Sequence, residues 1–213
     1  VSGTNISFGS LVKFTSNKVY NLSTCYDSTN GKIVVAYWDH TDYNGKVQVG
    51  TVSGNSISWG SANTGTGFTP LSTSMAYDSD EQRIVISYSH RYNSGYGTSI
   101  VGEISGSSIT FGTAVTFSSG SAGGSQFSTS TYDPISKKIV TPFRDPSSVG
   151  KCVVGTVSGS TISFLPLADL GGTVTNVGTY SSILAIGGKA SVHVAFHSDS
   201  DSSKSTGVVA TIT

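Results

Sequence analysis

The chain has 213 residues with 12 basic and 12 acidic side chains, so its formal net charge is zero. Charged residues make up only 11% of the chain, and without a basic excess we expect no nucleic-acid partner. No apolar run approaches the roughly 20 residues that a helix needs to cross a bilayer, so we expect no membrane insertion. The length suits one domain or one ring of small repeats.

Serine, threonine and glycine dominate the composition. A surface rich in hydroxyls and glycines and poor in charges is more typical of extracellular or virion-surface β proteins than of cytosolic domains. We therefore expect an extracellular, secreted or virion-surface location. The two cysteines, Cys25 and Cys152, lie in different parts of the chain. Their spacing indicates two separate, partly buried thiols rather than a disulfide or a metal site.

A short motif recurs four times and defines the organisation of the chain. Each copy begins with Val-Ser-Gly or Ile-Ser-Gly and continues into a run of the type Ile-Ser-Phe-Gly, as at residues 6–9. The copies begin about 52 residues apart, which is a strong repeat signal. We therefore divide one predicted domain, 1–213, into the repeats 1–51, 52–103, 104–156 and 157–213.

Each repeat is predicted to contain four strands. The Ile-Ser-Phe-Gly run comes first, and a Ser/Thr-rich strand ending in Tyr-Asp comes second, with the aspartate opening a turn. The third strand is the most apolar, and the fourth leads into the next Ser-Gly turn. The second to fourth strands are predicted at Leu22–Asp27, Thr73–Asp78 and Ser128–Asp133; at Ile33–Tyr37, Ile84–Tyr88, Ile139–Phe143 and Val192–Phe196; and at Val47–Val52, Ser99–Ile104, Cys152–Val157 and Val208–Ile212.

Repeats of this length with four strands each are typical of β-propeller blades. We predict an all-β, four-bladed β-propeller with four-stranded antiparallel blades; a β-solenoid has shorter coils. The N-terminal run at 6–9 is expected to complete the blade formed by the last three strands, which closes the ring and pairs two sheet edges. The fourth repeat departs from the pattern, since Ile183–Gly188 replaces Tyr-Asp and a longer loop follows His197.

Most of the histidines and arginines follow the apolar strands, at equivalent positions of the repeats. Equivalent positions of a propeller lie on one face, so these residues are expected to form one polar ring with quasi-fourfold symmetry. Aromatic rings can stack on a sugar while polar groups bond its hydroxyls, which indicates a glycan-binding face. The candidate ligand-binding residues are Trp38, Asp39, His40, Tyr43, His90, Arg91, Arg144, Asp145 and His197.

Three other interpretations of these residues are open. Aspartate and histidine at strand ends can simply serve turns and ion pairs. A glycosidase needs two carboxylates about 5–9 Å apart, which Asp39 and Asp145 satisfy only if the blades bring them together, so catalysis ranks below binding. The histidines lack the short spacing of a local metal site, so we expect neither a metal nor a cofactor.

The unit VSGxSISFG…YDxxxxKIVVAYxD…GxxxVGTVSG resembles the propeller-type repeats of marine bacteriophage and algal-virus tail or surface proteins, and of surface proteins of marine microbes. The resemblance implies an adhesive or structural role outside the cell or on a virion. We therefore expect a non-enzymatic module that binds a glycan or another cell-surface component. The alternative is a structural subunit of a fibre, appendage or shell, and either role allows a homo-oligomer or a larger assembly.

Overall fold

The structure is a computed structural model that describes residues 3, 6–64, 68–92, 95–118, 130–145, 147, 149–170, 177–186, 188–198 and 204–212. The side chains of residues 177–182, 184, 196–198 and 204–206 lie outside the description. All regular structure in the described residues is β-strand, and none of them belongs to a helix that could span a membrane.

The strands form four antiparallel sheets that follow one another along the chain. Sheet 1 contains β1 (Val19–Asp27), β2 (Lys32–Asp39), β3 (Asn44–Ser53) and β4 (Ser56–Trp59). Sheet 2 contains β5 (Pro70–Asp78), β6 (Arg83–His90), β7 (Tyr96–Ser105), β8 (Ser108–Phe111) and β9 (Val115–Thr116). Sheet 3 contains β10 (Thr131–Asp133), β11 (Lys138–Arg144), β12 (Gly150–Ser158), β13 (Thr161–Phe164) and β14 (Ala168–Asp169). Sheet 4 contains β15 (Val177–Ala185), β16 (Ser191–Ser198) and β17 (Lys204–Thr211).

The Tyr-Asp motif ends the first strand of sheets 1, 2 and 3 and forms the turn that the sequence predicts. The Asp27 carboxylate accepts hydrogen bonds from the backbone N–H groups of Thr29 at 2.9 Å and Asn30 at 3.0 Å. Asp78 and Asp133 accept equivalent bonds. All three carboxylates are buried, so these bonds offset the cost of removing them from water.

The core lies between successive sheets. Val34 and Ala36 of β2 pack against Ile84 and Ile86 of β6, and similar apolar clusters join sheet 2 to sheet 3 and sheet 3 to sheet 4. The first strands β1, β5, β10 and β15 contact one another in that order. The predicted all-β, antiparallel architecture is confirmed.

The two ends of this stack differ from its middle. In sheet 4, β17 pairs only with β16, so the described sheet has three strands. Residues 6–12 belong to no strand, and Ile6 and Phe8 are 69% and 87% exposed. The described residues therefore do not show the pairing of 6–9 with β17, and a closed ring of four blades stays a prediction.

Candidate functional site

An aromatic cluster lies where β2 ends. It consists of Tyr20, Trp38, His40, Tyr43 and Arg91, and we call it the aromatic cluster below. The Trp38 ring centroid lies 5.6 Å from that of Tyr20, 5.4 Å from that of His40 and 5.8 Å from that of Tyr43. The Arg91 guanidinium lies 4.3 Å from the Trp38 ring centroid, a cation–π contact between sheets 2 and 1.

Backbone pairing places these side chains. Tyr20 is directly opposite Trp38 in the β1–β2 register, so both rings stand on one face of sheet 1. The backbone N–H of His40 donates to the Lys18 carbonyl oxygen at 2.9 Å. The backbone N–H of Arg91 donates to the Thr69 carbonyl oxygen, also at 2.9 Å. The backbones of His40 and Arg91 are therefore fixed beside the ends of β2 and β6, and Tyr43 lies in the turn between β2 and β3.

Tyr43 adopts a backbone conformation that glycine favours. Its φ is 59°, in the left-handed region, where a side chain costs roughly 1 kcal/mol or more. Sheet 2 has Gly95 at the equivalent position, immediately before the strand β7, with φ of 72°. Sheet 1 thus carries an aromatic ring at a position where glycine is less strained.

The cluster has an exposed upper layer and a buried lower one. Tyr43 is 52% exposed and Tyr20 is 38% exposed, whereas Trp38 is only 7% exposed. Three buried nitrogen atoms, Trp38 Nε1, His40 Nδ1 and Arg91 Nε, have no hydrogen-bond partner within the described ranges. Buried polar atoms are normally paired, and each unpaired one costs roughly 1–3 kcal/mol. An ordered water or a ligand hydroxyl would pair with these atoms.

Asp39 takes a structural part beside the cluster. It is fully buried and accepts hydrogen bonds from Asn17 Nδ2 at 2.8 Å, Lys46 Nζ at 2.8 Å and the Thr41 N–H at 2.9 Å. Burial acts to raise the pKa of Asp39, but the bonds from Lys46, Asn17 and Thr41 outweigh it and lower this pKa to about 2. Its lone pairs are used within the protein, so Asp39 supports the loop that carries His40 and Tyr43.

Asp145 and His90 are also held by nearby groups. Asp145 Oδ1 accepts the Val149 N–H at 2.8 Å, and its other oxygen lies 3.7 Å from Lys151 Nζ. His90 Nδ1 is 3.3 Å from the Thr69 hydroxyl, and burial lowers the pKa of His90. For Asp39, Asp145 and His90, the turn and ion-pair interpretation of the sequence fits these contacts.

The remaining two predicted residues lie in sheets 3 and 4. Arg144 ends β11 and is half-buried. His197 is in β16, opposite Ser205 of β17, but its side chain lies outside the described residues. The structure therefore brings together Trp38, His40, Tyr43 and Arg91, and the predicted ring through all four sheets stays a prediction.

Sequence reasoning missed two residues at this site, Tyr20 of the aromatic cluster and Lys18 beside it. Lys18 Nζ lies 5.0 Å from the Tyr20 ring centroid. The register of the β1–β2 hairpin contains the signal that would have found Tyr20, since pairing Asp27 with Lys32 and allowing one bulge sets Tyr20 opposite Trp38.

No protein-family model and no curated protein matches this sequence. Among solved structures, the chain is similar to a protein from Lactobacillus plantarum, with a TM-score of 0.51 and 13% identity over 89% of this chain. It is also similar to a Hadza microbial sialidase, with a TM-score of 0.51 and 8% identity over 90% of this chain. Both neighbours are β-propeller proteins. The chain has a β-propeller-like fold.

At these identities the likeness shows the fold alone. The chain spans 55% of the Lactobacillus plantarum protein and 43% of the sialidase, so its four sheets match about half of each larger structure.

Proposed function

We propose that this protein is a non-enzymatic module that binds a glycan through the aromatic cluster, at a cell or virion surface. The proposal rests on one observation: two exposed tyrosines, Tyr20 and Tyr43, lie beside three buried nitrogen atoms that have no hydrogen-bond partner in the described residues. A propeller-like fold of this kind also carries a sialidase, so the architecture is compatible with carbohydrate ligands.

The chemistry of a sugar suits the two layers. A pyranose has an apolar face that stacks on an aromatic ring, and Tyr43 and Tyr20 offer such rings to solvent. Its hydroxyls accept and donate hydrogen bonds in fixed directions, and Trp38 Nε1, His40 Nδ1 and Arg91 Nε are buried nitrogen atoms of the cluster that lack a partner in the described residues. The Arg91 guanidinium, already over Trp38, stiffens the platform.

We propose binding without hydrolysis because the carboxylates at the cluster already have partners. Lys46 Nζ bonds Asp39 at 2.8 Å and Asp42 at 2.7 Å, and Asp39 is fully buried. A general acid needs a raised pKa, whereas the pKa of Asp39 is lowered to about 2. A glycosidase would require a different pair of carboxylates.

A glycan array followed by calorimetry with the best ligand tests this function. Tyr43→Ala removes the exposed ring, and we expect an affinity loss of about tenfold or more, which corresponds to about 1.4 kcal/mol. The matched control is Tyr26→Ala, because Tyr26 is also in sheet 1 and is 55% exposed, but it lies at the opposite end of β1.

The proposal is wrong if the wild type binds no glycan on the array. It is also wrong if Tyr43→Ala and Tyr26→Ala lose affinity equally, because the ligand would then not lie on the aromatic cluster.

A structural subunit is the second candidate function, and one observation favours it. The described part of sheet 4 has an unpaired edge, and the N-terminal segment presents exposed apolar side chains. A subunit of a fibre or shell would bury both in contacts between copies. Light scattering that shows a stable monomer at high concentration would argue against this role.

A further inference from the structure

One packing contact repeats where the runs that end in glycine meet the following sheet. The glycine that ends the run lies against the backbone of that sheet's β-turn: Gly60 against Ser107 and Gly112 against Ser160. A Cβ at either glycine would overlap the facing carbonyl oxygen. Gly9, which ends the N-terminal run, lies against Asn55 in the same way. The N-terminal run therefore occupies the outer-strand position that precedes sheet 1.

An aromatic contact repeats in the same places. Phe117 follows the run of sheet 2, and its ring centroid lies 5.4 Å from that of Phe143 and 5.2 Å from that of Phe164, both in sheet 3. Phe14 follows the N-terminal run, and its ring centroid lies 5.1 Å from that of Tyr37 and 5.6 Å from that of Trp59, both in sheet 1. Residues 6–14 thus make the contacts with the following sheet that the internal runs make.

The N-terminal run differs from the internal runs because no strand of the described residues pairs with it. Ile57, Ile109 and Ile162 of the internal runs pair with Val52, Ile104 and Val157. Ile109 and Ile162 are 2% and 4% exposed, but Ile6 is 69% exposed. The apolar side chains of the run are in place with nothing on their other side in the described residues.

The edge of β17 is where the N-terminal run would pair. In sheets 1 to 3 the equivalent strands β3, β7 and β12 each pair with an outer strand, but in the described residues β17 does not. In sheet 1, Ile33 pairs with Gly50, which in turn pairs with Trp59. In sheet 4, Val192 is equivalent to Ile33 and pairs with Ala210, and in the N-terminal run Phe8 is equivalent to Trp59. The register of sheet 1 would therefore place Phe8 opposite Ala210 and Ser7 opposite Thr211. On β17, Gly207, Val209 and Thr211 are exposed, and Val209 is 58% exposed.

We propose that the N-terminal run pairs with the β17 edge of a second copy of this chain, so that copies join end to end. The pairing continues an interface that already exists three times within the chain, between sheets 1 and 2, 2 and 3, and 3 and 4. In the described residues of one chain, residues 6–9 belong to no strand and β17 pairs with β16 alone. We therefore infer that the strand that pairs with the β17 edge comes from a second copy.

Cysteine cross-linking between two single variants tests this pairing. Directly opposed residues of antiparallel strands have Cα atoms about 4.5–5.5 Å apart, which is within reach of a disulfide. Ser7 and Thr211 are both exposed. We mix Ser7→Cys with a tagged Thr211→Cys under mild oxidation and expect the disulfide-linked mixed dimer to exceed either like-with-like dimer by at least tenfold.

The control mixture pairs Ser7→Cys with Ile135→Cys, since Ile135 is 54% exposed in a turn of sheet 3. It measures random collision, and each variant alone measures exchange with the native cysteines. A mixed dimer no more abundant than this control would overturn the proposal. So would a double variant, Ser7→Cys with Thr211→Cys, that forms its disulfide only within single chains at all concentrations, because the run would then close its own ring.

Sedimentation velocity of the unmodified chain gives an independent readout. We expect its average mass to rise with concentration, and Phe8→Ser to abolish the rise. Because Phe8 is 87% exposed, this substitution removes little internal packing and should leave the fold intact. A concentration-independent monomer would overturn the proposal.

Discussion

Asp39 and Tyr43 are close neighbours in the sequence and have opposite roles at the same strand end. Asp39 is fully buried, with bonds to Asn17, Lys46 and the Thr41 backbone. Tyr43 is half-exposed, and its backbone has a φ of 59°. The first residue stabilises the loop and the second is strained by it. This division separates stability from the proposed glycan binding, so each can be tested alone.

Tyr43→Gly is expected to separate the two properties. Glycine relieves the left-handed strain but loses more chain entropy on folding, so the free energy of unfolding should change by less than about 1 kcal/mol. Glycan affinity should fall by at least tenfold because the stacking ring is gone. Urea denaturation and calorimetry measure the two quantities. A destabilisation of several kcal/mol would show that the Tyr43 ring serves packing instead.

Asp39→Asn is expected to destabilise the fold by about 2 kcal/mol near neutral pH, because the buried ion pair with Lys46 is lost while Lys46 keeps its contact with Asp42 at 2.7 Å. The pKa of Asp39 is about 2 in the folded chain against 3.8 for an unperturbed group. Its contribution is therefore fully present above pH 3.8 and is lost as the pH falls through about 2. Urea denaturation at several pH values should show the wild type and the variant converging over this range.

Asp169→Asn is the control for this pH effect. Asp169 pairs with Lys151 at 3.1 Å, but its side chain is 56% exposed, so the loss should be about 0–1 kcal/mol. If Asp39→Asn costs no more than this control, the buried network around Asp39 does not stabilise the loop.

At the level of whole strands, one interface between sheets differs from the other two. Buried hydroxyl groups lie between sheets 2 and 3. The Ser130 hydroxyl, just before β10, is 2.5 Å from that of Ser74 in sheet 2 and 2.8 Å from that of Thr141 in sheet 3. Within sheet 2, the Ser87 hydroxyl is 2.9 Å from that of Ser99. The positions equivalent to Ser87, Ser99, Ser130 and Thr141 between sheets 1 and 2 are Ala36, Val47, Met75 and Ile86, all in the apolar core. The repeat thus keeps the backbone and changes the chemistry of the contact.

Thr141→Val should destabilise the protein by about 0.5–1.5 kcal/mol, since Ser130 loses one buried hydrogen-bond partner and keeps Ser74. Replacing the whole set by its apolar counterparts should be nearly neutral or stabilising, because no unpaired hydroxyl remains. That variant combines Ser87→Ala, Ser99→Val, Ser130→Met and Thr141→Ile with Ser74→Ala. Thermal denaturation of both variants decides the matter, and a combined variant less stable than Thr141→Val would contradict this account.

Across the whole molecule, the face of sheet 4 that has no sheet packed on it in the described residues has a polar residue at a position where the other three sheets have valine. Val34, Val85 and Val140 occupy one equivalent position in sheets 1, 2 and 3, and each is buried against the next sheet. Sheet 4 has His193 there, and it is exposed. An imidazole in an apolar interface is costly to bury, so a contact made through this face should be weaker than the internal ones.

His193→Val should therefore tighten the end-to-end association of copies by about tenfold, because it restores the apolar residue of the other sheets. Sedimentation velocity over a range of concentrations measures the change. Val209→Thr, on the neighbouring strand, should act in the opposite direction. Equal behaviour of both variants and the wild type would show that this face takes no part in association.

The strands that the sequence predicted well are those whose side chains alternate or are continuously apolar. β2 was predicted at Ile33–Tyr37 and extends over Lys32–Asp39. β1 begins at Val19, three residues before its predicted start, because a bulge between Tyr20 and Ser23 interrupts the alternation. The two-residue strands β9 and β14 were not predicted, since so short a segment has no period to detect.

The antiparallel strands and the turn at each Tyr-Asp motif could be predicted from the sequence, because they depend on local alternation and on side chains that bond their own turns. Only the tertiary structure decided which residues beyond the apolar strands meet. Trp38 and Arg91 come together because sheets 1 and 2 pack face to face. Asp39 is withdrawn from the surface because Asn17, from the segment before β1, and Lys46, from the other strand of the β2–β3 hairpin, converge on it. Contacts between sheets have no period along the chain, so no local pattern could give them.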